Sequence, residues 1–291
     1  MSEEVESTRG TMGALGSWED TLVTDPAQRA SVISLLKGLL DLTGNPIPAG
    51  ENAIGQTITP TFSVSDSLTR PANTTPYAAN KSINCSVAVT ARSYSGLTVT
   101  LTAGNAFAVG DRITVAGVNT GFTATNIDGN WICKTGTNAT TVVFDVAVQP
   151  TGTTPQTITA GTIAKQLSLV VADAVGNGVI LSRLSVTCQG VAMLGGIRVW
   201  VYTGQTGVLV DQATFTLLNA NDANRRDYFD LYPVTSGAGS DTTFASQRLW
   251  EVFKCAAADT RLYFRLEALS AATPVSGATI TLRASGIQLL G

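Results

Sequence analysis

Histidine is absent from this 291-residue chain. That removes every Ser-His-Asp and Cys-His nucleophilic arrangement and every zinc site built on imidazole. It also leaves no side chain whose unperturbed pKa falls between about pH 5 and 8. Cysteine is scarce: Cys85, Cys133, Cys188 and Cys255 stand far apart without a CxxC pair, which excludes cysteine-only zinc by spacing. Charged residues make up 13 % of the chain and the net charge is −3, so no electrostatic footprint for nucleic acid exists. No apolar run approaches the roughly 18 residues of a membrane span. No GxxxxGK[ST] phosphate loop occurs. The glycines near Gly176 and Gly178 lie between strand-like runs rather than before a helix, so there is no dinucleotide fingerprint.

The start of the chain, Glu3-Glu4-Val5-Glu6, is acidic and lacks the basic and apolar regions of a signal peptide. Synthesis in a cytoplasm is therefore expected, and with it four reduced cysteines in or near the core. Asp and Glu total 21, and a glycosidase needs two of them facing each other across a cleft. The candidates Asp222, Asp227 and Asp230 sit in a polar connection and a strand start, where solvated charge is the default. No motif supports catalysis, and the chain reads as non-enzymatic, with no cofactor. Asn219–Asn224 superficially resembles a calcium loop. Ala223 stands where a third ligand belongs, Asn224 replaces the turn glycine, and no glutamate closes the loop. An Asx turn is the reading there.

What is present is one helix at the head of a β-patterned chain. Residues 1–24 read as an extended arm with a single anchor-like aromatic, Trp18. Asp25-Pro26 opens a helix over 25–44 and Gly44 closes it. Val32, Leu35, Leu39 and Leu42 are spaced 3-4-3 like a coiled-coil seam, with Leu36 in a second stripe beside them. So short a helix, carrying Gly38, needs support. The support is either a seam between copies or the chain's own β domain, and Trp18, Val32, Leu35, Leu36, Leu39 and Leu42 are the interface candidates. A Pro/Gly connector, 45–55, follows.

From residue 56 the pattern is strands between Gly, Asn, Asp, Thr and Pro turns. Residues 93–164 read as an inserted small β module. Its strands are expected at Leu97–Leu101, Arg112–Val115, around Trp131, at Thr140–Val146 and from Thr157, with a hairpin turn at Asp128-Gly129. Trp131 and Phe144 are expected in its core, and Tyr94 and Phe122 as outer-surface contacts. Residues 56–92 and 165–291 form one interrupted domain. Its later strands are expected at Val179–Thr187, Ile197–Tyr202, Ala213–Leu217, Tyr228–Leu231, Trp250–Cys255, Leu262–Glu267 and Ala278–Leu289. The fold class is mainly β: a jelly-roll-like β-sandwich with an inserted small barrel or sandwich module and one N-terminal α-helix.

Two segments carry a resemblance. Val109-Gly110-Asp111-Arg112-Ile113, Asn126-Ile127-Asp128-Gly129-Asn130-Trp131 and Thr140-Thr141-Val142-Val143-Phe144 resemble a small β domain that recurs in tailed-phage virion proteins. Ile197–Tyr202, Asp211–Leu217, Phe253–Ala256, Leu262–Ala268 and Thr273–Gly277 are similar to tailed-phage structural proteins, as is Leu35–Leu40 before the Pro-Ile-Pro-Ala-Gly connector. The resemblance implies a capsid cement or decoration protein, typically trimeric, bound to the major capsid protein on the virion surface. Head-fibre and tail components use the same parts and are the alternative, whose partner would be a host-surface receptor or glycan. In neither setting are nucleic acid or membrane expected as partners.

Overall fold

Alternation of apolar and hydroxyl side chains with period two drives almost every element among the described residues into a strand. The computed structural model describes residues 61–289 except 71–74, 105–106, 120–125, 153, 190–194, 208, 218, 236–241 and 273–276. The expected arm, helix and connector lie outside the described residues. So do the interface candidates Trp18, Val32, Leu35, Leu36, Leu39 and Leu42, and the surface candidate Phe122.

The strands are β1 (Thr61–Thr69), β2 (Lys81–Ile83), β3 (Ser86–Ser95), β4 (Thr98–Thr102), β5 (Arg112–Ala116), β6 (Gly129–Ile132), β7 (Thr141–Asp145) and β8 (Gln156–Val170). They continue with β9 (Gly178–Gln189), β10 (Ile197–Tyr202), β11 (Arg225–Leu231), β12 (Val234–Thr235), β13 (Thr242–Lys254), β14 (Arg261–Ala268) and β15 (Thr279–Gln288). The fold is mainly β, built from antiparallel sheets. One sheet has the order β1-β15-β9-β13-β12. The other runs β11-β10-β14-β8-β3-β4-β7, with β2 beside β14, and with β5 and β6 joined through β8.

The long strand β8 links two structures. Its first half pairs with β3, from Ser86 opposite Ala164 to Arg92 opposite Gln156. Its last residues pair with β14, from Leu167 opposite Phe264 to Val170 opposite Arg261. Between them, Thr162 to Gln166 also pair with β5. Strands β8, β3, β4 and β7 then close a ring with β6 and β5, because the Lys134 N–H donates to the Val143 carbonyl at 2.8 Å. The result is a small barrel that borrows β3 and β8 from the larger sheet. The expected module limits, 93 and 164, fall inside these two continuous strands.

Barrel and sheets share one apolar core. Val99, Leu101, Ile113, Val115 and Phe144 fill the barrel and belong to the same buried cluster as Leu184, Val186, Val201, Phe264 and Leu282. Phe229 on β11 meets Phe253 on β13 edge-on, 6.3 Å between centroids, and so ties the two sheets. Each fully buried Leu, Ile or Phe contributes roughly 1.5–3 kcal/mol.

Three expectations change. Trp131 is half-buried rather than central: its ring stacks on the buried Phe144 at 5.1 Å and its Nε1–H donates to the Ile127 carbonyl at 2.8 Å. Asp128-Gly129 is no two-residue hairpin. Gly129 already pairs with Val115, and Asp128 Oδ1 accepts from the Val118 N–H at 2.9 Å across the longer 117–128 connection. Ala213–Leu217 makes only a single bridge, Thr214 to Lys81. Its Phe215 instead caps the outer face of β10, stacked on Trp200 at 5.8 Å.

Candidate functional site

The charged groups inside this fold act as ties. Lys165 lies on the inward face of β8 and is buried. Its Nζ stands 2.9 Å from Asp66 Oδ1 of β1 and 2.8 Å from Asp111 Oδ1, just before β5. Burial lowers the Lys165 pKa, and the two carboxylates outweigh burial and hold the ammonium above its ordinary value. Both carboxylates also accept backbone N–H groups: Asp66 those of Ser67 and Ser168, and Asp111 that of Ala108. The ammonium therefore joins one sheet, the other sheet and the barrel in a single knot.

A second tie locks the chain before β2 to the 209–217 segment. The buried Tyr77 hydroxyl donates to Asp211 Oδ1 at 2.6 Å, and the Asn84 N–H donates to the same oxygen at 3.0 Å. Asn84 Nδ2 reaches the Leu209 carbonyl at 2.9 Å, and the Arg70 guanidinium lies 4.9 Å from the Tyr77 ring centroid. Burial raises the Asp211 carboxyl above the usual carboxylate range, and burial together with Asp211 drives the Tyr77 phenol far above its own.

Outside the core, β10, β11 and β14 carry a second, aromatic layer. Trp200 is buried there and donates its Nε1–H to Glu267 Oε2 at 2.9 Å. Its ring lies 5.0 Å from Tyr228, over which the Arg198 guanidinium sits at 4.5 Å. Arg198 holds Asp230 in a two-pronged ion pair, at 2.7 and 2.9 Å. Tyr228 stays 47 % exposed at the rim of this layer, with Trp200 and the Arg198 guanidinium against its ring.

The expected contact residue Tyr94 is half-buried against the core, and its hydroxyl donates to the Gly152 carbonyl at 3.0 Å. The three carboxylates singled out in the sequence are not brought together. Asp230 holds Arg198, Asp222 holds Arg225 at 3.1 Å, and Asp227 accepts from the Tyr228 N–H. The 219–224 segment opens with a 3-10 turn, Asn219–Asn221. All four cysteines are buried and unpaired, and burial pushes the thiols of Cys85, Cys188 and Cys255 up to about 11 and that of Cys133 up to about 12. Among the described residues no group of three or more His, Cys, Asp or Glu is placed to hold a metal ion.

One residue that stands out in the structure was read in the sequence only as the start of a strand. Trp250 is 66 % exposed and has a φ of 113°, inside a bulge of β13 between Arg248 and Glu251. The signal was in the sequence: Leu249-Trp250 and Val252-Phe253 are two adjacent apolar pairs, which one strand with period two cannot place on the same face. Neither a family model nor a curated protein sequence matches this chain.

Proposed function

We propose that this chain is a non-enzymatic structural protein of a tailed-phage virion, a homotrimeric capsid cement or decoration protein that binds and stabilises the major capsid protein lattice. In this reading the β architecture is a jelly-roll-like sandwich with the small barrel as an outward module. The N-terminal helix and arm make the trimer and capsid contacts. The observation that carries the reading is the Lys165 knot. The strongest candidate for chemistry in the interior is fully engaged by Asp66 and Asp111, and it spans the three parts of the fold. Cross-ties of this kind suit a protein selected to persist on an extracellular particle. The sequence resemblance to phage structural proteins points the same way.

The reading is tested on particles. An antibody raised against the purified chain is applied to intact virions from a culture that produces it, and gold label is located by electron microscopy. Label over the head, together with a light-scattering mass near three times 30.2 kDa for the free chain, is the expected result. Absence of label overturns it.

A second reading, a head-fibre or tail-associated protein that binds a host receptor or glycan, is favoured by the exposed aromatic ring of Trp250. Label confined to the tail selects it.

A further inference from the structure

The outer face of the five-stranded sheet carries an unusual set of side chains. On β9 and β15, Leu184, Val186, Leu282 and Ala284 point into the core, so alternation sends Arg183 and Arg283 outward, where both are exposed. Arg183 stands directly opposite Arg248 of β13. Arg283 lies on the diagonal, since Ser285 opposes Arg183 and Arg283 opposes Ser185. Like charges directly opposite one another weaken a sheet. Among the described residues none of these three arginines forms an ion pair, in a chain whose net charge is −3. The basic stripe is therefore a local arrangement and no consequence of composition.

Trp250 adds an independent observation. A bulky residue at positive φ costs on the order of 1–3 kcal/mol, and such strain concentrates at binding sites. The strain at Trp250 is not repaid by burial, because the bulge turns the indole out into solvent. Two residues along β13, Val252 opposes Ile180 and Ile180 opposes Ile287, a short apolar row. Ser246, Ser285, Ser63 and Ser65 add hydroxyls, with Ser63 opposite Ser285 and Ser65 opposite Arg283. The Arg183 guanidinium donates to Ser246 Oγ at 3.2 Å and lies 5.7 Å from the ring centroid of the exposed Phe244.

We infer that this face binds an anionic polysaccharide, with Trp250 stacking on a sugar ring and Arg183, Arg248 and Arg283 gripping carboxylate or sulfate groups along the chain. Guanidinium forks match those groups two-pronged, and the flat aromatic face suits the apolar side of a pyranose. Serine is depleted where proteins meet, which disfavours an acidic protein partner on this hydroxyl-rich surface. The inference goes beyond the virion reading and does not depend on it, since the surface is a property of the folded chain.

Binding of the full chain to polygalacturonate at low salt is measured by calorimetry. Methyl-esterified polygalacturonate serves as the uncharged control, and polyglutamate and oligo-dT as other polyanions. The expected result is binding to polygalacturonate alone, weakened about tenfold or more by Trp250→Ala and by the pair Arg183→Gln and Arg248→Gln. Trp250→Gly removes the ring while relieving the backbone, so its loss of binding separates the ring from folding. Three outcomes overturn the inference: no binding to polygalacturonate, unchanged affinity in the Trp250 variants, or polyglutamate or oligo-dT binding as tightly, which would move the face to a protein or nucleic-acid partner.

Discussion

Asp66, on the edge strand of one sheet, closes an ion pair with Lys165 in the middle of the other, 2.9 Å from oxygen to nitrogen. With Asp111 on the far side of the same ammonium, the pair welds two sheets and a barrel whose strands are distant in sequence. Removing one member of such a group leaves charge buried without compensation, which costs far more than the intact group gains.

Lys165→Met should therefore destabilise the chain by roughly 3–5 kcal/mol, read as a lowered urea midpoint. Replacing all three groups at once, with Asp66→Asn and Asp111→Asn added, should recover part of that loss. A triple variant weaker than Lys165→Met alone would show that the carboxylates matter chiefly through their backbone hydrogen bonds.

Stability should fall above about pH 8.5. The folded pKa values of Cys85, Cys133, Cys188, Cys255, Tyr77, Tyr202, Tyr263 and Lys165 are all raised. Each group keeps its proton in the native state where the unfolded chain has already released it. The stabilisation is complete below the unfolded pKa and is lost as pH climbs through the folded one. Asp211, also raised, obeys the same rule on the acid side: its contribution is full below about pH 3.9 and is lost as pH rises through its folded value. Urea midpoints across this range check the slope, and a midpoint constant to pH 11 would contradict it.

The four thiols should resist a disulfide reagent at neutral pH. With pKa values of about 11 to 12 and no exposed sulfur, native-state reaction should be about a hundredfold or more slower than that of a free thiol. All four should react at once in denaturant. A single fast thiol in the native chain would identify a cysteine reached by local opening.

Gly286 sits at the bulge where β15 shifts register against β9, and a Cβ there would stand 2.0 Å from the Ile180 carbonyl oxygen and 2.9 Å from the Phe62 ring. Gly286→Ala should cost about 3 kcal/mol by forcing two backbones apart. Gly207→Ala, where nothing lies within 4 Å, should change the urea midpoint little. Equal effects would mean that the strands separate without penalty.

Much of the local structure is legible in the residues themselves. Ile197–Tyr202 alternates so cleanly that its expected and observed limits coincide, and the strands at Arg112–Ala116 and Arg261–Ala268 differ from expectation by a residue or so at an end. All four cysteines are buried, although only Cys188 lies within a strand, β9, while Cys85, Cys133 and Cys255 stand just beyond strand ends. The exposed site was less legible, because the adjacent pairs Leu249-Trp250 and Val252-Phe253 show that β13 breaks phase but not which ring turns outward.

Alternation, turn residues and the absence of histidine thus set the strand content and remove whole classes of chemistry, because each acts through near neighbours in the chain. Tertiary structure alone decided that β8 serves barrel and sheet together, that Asp66 and Asp111 meet at Lys165, and that Arg183 faces Arg248. Those pairings depend on which distant strands lie side by side, and period-two patterning is the same for every candidate neighbour. Burial in the shared core selects among them, and it is a property of the whole fold.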